Sequence, residues 1–99
     1  MGMKKNEYTI DPKFSLGNIV VSGRVVTALR GKPDILDWML GRHQSGDWGN
    51  VSDNEKLEND AAVAGFELKS AYRTDDGHEF WVVTDPERKF TTVMLPKEF

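Results

Sequence analysis

The apolar residues of this chain change period at Phe66, and that change limits the folds open to it more than any other feature. From Phe66 onward they alternate with polar residues, the mark of half-buried strands. Phe66–Thr74, Glu79–Thr84 and Phe90–Leu95 read as three antiparallel strands. Asp75-Asp76-Gly77 supplies the first hairpin loop, and Asp85-Pro86 opens the second turn with proline at its second position.

Before Phe66 the spacing is mostly helical. A β-branched run, Ile19-Val20-Val21, makes Phe14–Val21 a strand, with a bulge expected at Gly17-Asn18. Ser22-Gly23 caps a short helix over Arg24–Arg30, closed by Gly31. Pro33 suits the first turn of a second helix, where Asp34 and Asp37 favour the N-terminal dipole. Ile35, Leu36, Met39 and Leu40 form its apolar face, and it should run out between Gly41 and Gly46. Ser52-Asp53-Asn54-Glu55 matches a capping box, which starts a third helix running to Ala64. Gly65 suits the left-handed position after it.

Helices and strands are thus segregated along the chain, which defines an α+β domain. The expected architecture is a three-stranded antiparallel C-terminal meander with two or three helices packed on one face. An N-terminal strand can join the sheet edge. Residues 1–13 form a polar, flexible lead-in, and residues 14–99 a single domain, since 99 residues leave no room for a second core.

The chain has no cysteine, which removes disulfides, thiol catalysis and thiolate metal sites and suits a reducing cytoplasm. Its basic N-terminus lacks a following apolar stretch, so no signal peptide is expected, and no apolar run approaches the ~20 residues of a membrane span. Net charge is −3. Residues 31–62 carry three basic and seven acidic side chains, whereas residues 1–30 carry five basic and two acidic ones. That balance does not favour a nucleic-acid binder, which needs a cationic surface. Asp53, Glu55, Glu58 and Asp60 give the third helix an acidic start, read as a solvated face or as a face for a partner.

One loop carries most of the chemistry. His43-Gln44-Ser45-Gly46-Asp47-Trp48-Gly49 gathers an imidazole, a hydroxyl, a carboxylate and a large aromatic ring at a helix end. His43, Ser45, Asp47 and Trp48 are therefore the candidate binding residues. A continued helical turn would set Asp47 beside His43 and orient the imidazole for proton transfer. In the structural reading, Trp48 plugs the core, Asp47 caps a turn and His43 is a satisfied polar neighbour. A second polar set lies on the predicted strands and turns: Ser70, Tyr72, Arg73, Thr84, Arg88, Thr91 and Thr92. Alternation sends Ser70 and Tyr72 to one face and Arg73 to the other, and it separates Thr91 from Thr92. Threonine is also simply a good strand former. With only His43 and His78 as imidazoles and no familiar ligand spacing, no metal or cofactor is expected. Glycine-rich phosphate loops and nucleophile elbows are missing too.

Taken in order, Phe14–Val21, Arg42–Gly49, Ser70-Ala71-Tyr72-Arg73 and Thr91–Pro96 resemble a family of small uncharacterised proteins of bacterial plasmids and mobile elements. The resemblance spans residues 14–99, and its most specific string is His-Gln-Ser-Gly-Asp-Trp-Gly. The family often has Asp or Glu next, where this chain has Asn50. Members are sometimes labelled as a type I restriction–modification subunit, but a methyltransferase needs a nucleotide domain that 99 residues without a glycine-rich turn do not supply. Together with the lack of a complete catalytic set and the acidic middle, the resemblance implies a non-enzymatic accessory protein of plasmids or mobile elements that binds a protein partner in defence or counter-defence. A looser likeness, at the level of fold alone, is to metal-independent ribonucleases of the barnase–EndoU–colicin–RelE type. It implies His43 as acid/base, Tyr72 or Arg73 on the phosphate, and Thr91 or Thr92 orienting it.

Overall fold

The computed structural model describes residues 12–99. Of the predicted lead-in 1–13, residues 1–11 lie outside them, and Lys13 is tied in by a bond from its N–H to the Gln44 carbonyl (2.8 Å). The element order is β1 (Asn18–Val21), α1 (Gly23–Ala28), α2 (Pro33–Gln44), α3 (Asp53–Ala62), β2 (Leu68–Arg73), β3 (Glu79–Thr84) and β4 (Phe90–Met94), with a 3-10 turn at Pro96–Glu98. The fold is α+β, as its segregated periods imply.

The strands form one sheet in the order β1-β4-β3-β2. β2, β3 and β4 are the antiparallel meander, and β1 adds to β4 in parallel with Asn18 opposite Phe90 and Val21 opposite Val93. β1 is shorter than the strand expected from Phe14. Gly17 (φ +67°) approaches the β3–β4 turn so closely that a Cβ there would lie 2.4 Å from the Arg88 carbonyl oxygen. No side chain fits, and the chain leaves the sheet at that point. Phe14 turns inward instead and packs against the rings of His43 and Trp48.

The helix starts follow local chemistry. Ser22 Oγ accepts from the Val25 N–H, and α3 carries the full capping box between Ser52 and Glu55. α2 begins on Pro33 without a side-chain cap. The main core joins Val25 and Met39 to Tyr72, Phe80, Val82 and Val93, so α1 and α2 cover one sheet face. Each such apolar side chain contributes about 1.5–3 kcal/mol on burial. A second cluster gathers Trp48, Val51, Ala62, Leu68 and Ala71 beside β2.

The outer edge of β2 is closed by two devices. Trp48 and Asn50 flank a single parallel bridge at Gly49: the Ala71 N–H donates to the Trp48 carbonyl (3.1 Å), and the Asn50 N–H donates to the Ala71 carbonyl (2.7 Å). Two residues earlier, the Asn59 carboxamide does what a neighbouring strand would do. Its Nδ2 donates to the Lys69 carbonyl (2.8 Å) and its Oδ1 accepts from the Lys69 N–H (3.3 Å). Asn59 is therefore a buried polar residue in α3 with both ends matched. Among the described residues nothing pairs with the opposite edge, at β1.

Candidate functional site

α2 carries His43 to the centre of the covered sheet face, where it has no exposed surface at all. Its Nδ1 lies 2.6 Å from Ser70 Oγ on β2, and its Nε2 lies 2.8 Å from Thr84 Oγ1 on β3. Thr84 Oγ1 is 2.7 Å from Thr91 Oγ1 on β4, and Thr91 Oγ1 donates to the Leu16 carbonyl (2.7 Å). The imidazole thus lies within a hydrogen-bonded chain across three strands.

The end of this chain fixes its polarity. A carbonyl only accepts, so the Thr91 hydroxyl proton is committed to Leu16. Thr91 must then accept from Thr84, and Thr84, with its one proton used, must accept from His43 Nε2–H. In the neutral ring Nδ1 is left to accept from Ser70 Oγ–H. The tautomer is assigned from this network. Burial, helped by the positive charge of Arg88, lowers the His43 pKa to about 3, so the ring is neutral at ordinary pH.

Asp47 does not stand beside His43. α2 ends at Gln44, with Ser45 as its C-cap, so the helical turn that would align them is never made. Asp47 instead receives two hydrogen bonds from Arg42, at 2.7 Å from Nε and 3.0 Å from Nη2. That guanidinium lies 4.8 Å from the Trp38 ring centre and 4.7 Å from that of Tyr72. The pair holds the Asp47 carboxyl below and the Arg42 guanidinium above their ordinary values. Asp47 also accepts from the Gly49 N–H, the turn-capping contact of the structural reading.

The rest of the loop points the same way. Ser45 Oγ donates to the Arg42 carbonyl, and Gln44 Nε2 donates to the Phe14 carbonyl. Trp48 is buried, stacks on Phe14, meets His43 edge-on, and donates from Nε1 to Asp60 Oδ1 (2.9 Å). At Gly49 (φ +75°) a Cβ would lie 2.0 Å from the Ala71 oxygen, so glycine is what lets the loop touch β2. Of the candidate binding residues, His43 and Trp48 face the interior, Ser45 is half-buried and Asp47 is exposed.

The residues proposed for phosphate chemistry do not converge on a cleft. Tyr72 is buried and donates to the Asp47 carbonyl (2.6 Å), and burial raises its phenol pKa. Thr91 is enclosed in the His43 chain, whereas Thr92 and Arg73 lie on the other sheet face, and Arg73 pairs with Glu79 (3.3 Å). Arg88 binds the carbonyls of Ala62, Val63, Phe66 and Asp85. Among the described residues no three His, Asp or Glu side chains are grouped to hold a metal ion. Arg42 and Asn59 were not singled out from sequence. Arg42 adjoins the loop string, but nothing local marks Asn59 as a partner of β2.

The opposite sheet face is only partly covered, with Ala71 and Val83 buried on it and its β1–β4 end exposed. Strand register places Lys69, Ala71 and Arg73, then Glu79, Trp81 and Val83, then Phe90, Thr92 and Met94, then Asn18 and Val20 on it. Val20 (44% exposed) and Phe90 (48%) are open to solvent there, and Phe99 lies against Trp81. Beside it runs an open groove of about 740 Å³ between α3 and Pro86, with Phe66 and Lys69 among its lining. Among the described residues no helix is long and apolar enough to cross a membrane. No protein-family model, curated protein or solved structure matches the chain.

Proposed function

We propose that this protein is a non-enzymatic accessory protein that acts by binding a protein partner through its open sheet face. The observation that carries this reading is the exposure of Val20 and Phe90, with Trp81, Met94 and Phe99 beside them, on the face that α1 and α2 leave uncovered. Exposed apolar side chains gathered on one face favour association. The enclosed imidazole supports the same reading. A general acid/base must reach the proton it moves, and His43 is fully buried with both ring nitrogens hydrogen-bonded to Ser70 and Thr84. The setting in plasmids or mobile elements, in defence or counter-defence, rests on the likeness of the His43–Gly49 string.

The test is capture from a native host under stringent washing, comparing the wild type with V20T/F90T. Both positions are exposed, so circular dichroism should report an unchanged fold. A partner retained by the wild type and lost by the variant is the expected result. Consistent failure of the wild type to retain any protein would overturn the reading.

A further inference from the structure

We infer that the groove flanking α3 receives a partner segment with an apolar anchor flanked by Lys or Arg. This rests on the protein-binding reading above and names the partner's chemistry. The groove is lined by Ala61, Ala62, Phe66 and Pro86 as its apolar part, and Phe66 is 69% exposed. A phenylalanine that open beside α3 offers an unfilled contact for an apolar side chain. The volume of about 740 Å³ accommodates a few large side chains rather than a whole folded element.

The charges that line the groove decide the sign of its occupant. Among the described residues that line it, the acids are Glu55, Glu58 and Glu67 and the one cation is Lys69. Lys69 is already engaged: its Nζ lies 3.7 Å from Glu55 Oε2 and 4.3 Å from the centre of the Trp81 ring. Glu58 and Glu67 make no ion pair among the described residues. Nearby Arg88 is bound to the Ala62, Val63 and Phe66 carbonyls, so it does not neutralise them by contact. An apolar floor with unpaired carboxylates at its rim is complementary to a cationic segment, and an anionic one is repelled. Lys69 also links the groove to Trp81 and Phe99, which makes it continuous with the open face.

The probe is a fluorescein-labelled Leu/Lys peptide, read by anisotropy against Leu/Glu and Ser/Lys peptides of equal length. The Leu/Lys peptide should bind the wild type at least about tenfold more tightly than either control. E58K/E67K, both changes being at exposed positions, should weaken that binding by about tenfold or more, and added salt should weaken the wild type's binding. Amide shifts on titration should cluster at Glu58, Ala61 and Phe66. Equal binding to the wild type and E58K/E67K, equal binding of the Ser/Lys peptide, or shifts confined elsewhere would overturn the inference. Each of those results leaves host capture through Val20 and Phe90 intact. Failure of host capture, by contrast, removes the broader reading.

Discussion

His43 Nδ1 and Ser70 Oγ meet at 2.6 Å in a part of the core where the imidazole has no exposed surface. One titratable ring is thereby tied to β2, and through Thr84 and Thr91 to β3 and β4. Its protonation state becomes a property of the fold.

Stability should fall with acid in a window set by that ring. Unfolded, His43 titrates near 6.5, and folded, burial holds it near 3. Below pH 6.5 the unfolded chain takes up a proton that the folded chain refuses, so stability present at higher pH is lost as pH falls. Between pH 7 and pH 5 the wild type should lose about 2 kcal/mol in urea titrations. His43→Leu should lose much less across the same window, keeping only the shallow slope of the carboxylates whose pKa values folding lowers; a parallel loss in that variant would contradict the assignment.

Removing the ring should cost more than its volume. His43→Leu leaves the buried Ser70 hydroxyl without its acceptor, at about 1–3 kcal/mol, while Thr84 loses a donor but still donates to Thr91. The double change H43L/S70A removes the orphaned hydroxyl as well and should recover much of that loss. Strictly additive losses across the series would sink the idea of a coupled chain.

Much of this fold was legible in the residues. The capping box at Ser52 and the Asp75–Gly77 loop are local signals that lie where their chemistry puts them, and the period change is real, although the strand expected from Phe66 starts at Leu68. The site was legible only in halves. His43 on one side, and Ser70, Thr84 and Thr91 on the other, were visible as separate polar features. Their union depends on strand register and on the tilt of α2, which are set by long-range packing. Phe14 illustrates the same limit: β-like in its neighbourhood, it leaves the sheet to join His43 and Trp48.

Asn59 offers a separate test. Asn59→Ala strips both bonds from the Lys69 backbone and should cost about 1–3 kcal/mol. The Lys69 amide should then exchange with solvent much faster, while the Val82 amide at the centre of the sheet keeps its protection until global unfolding. Unchanged exchange at Lys69 would mean that the carboxamide does not guard this edge.

Two glycines with similar backbone angles should respond differently to alanine. At Gly77 (φ +89°) a Cβ meets nothing within 4 Å, so Gly77→Ala should cost only the left-handed strain of about 1–2 kcal/mol. At Gly49 the Cβ would strike the Ala71 oxygen at 2.0 Å, so Gly49→Ala should cost clearly more than that. Thermal melts of the two variants compare them directly, and equal shifts would refute the close approach.

The enclosure of the His43–Gly49 string changes how loss of function there must be interpreted. Damage at His43, Trp48 or Gly49 would lower any activity of this protein through the fold, because the sheet would lose one of its ties to α2 or part of the cover on its β2 edge. A genetic screen scored on phenotype alone would rank these three positions first and suggest a reaction centre. Soluble yield and melting temperature, measured beside the phenotype, separate a broken scaffold from a lost contact. Val20, Phe90, Glu58 and Glu67, whose side chains are not enclosed, are where a phenotype without a folding defect is informative.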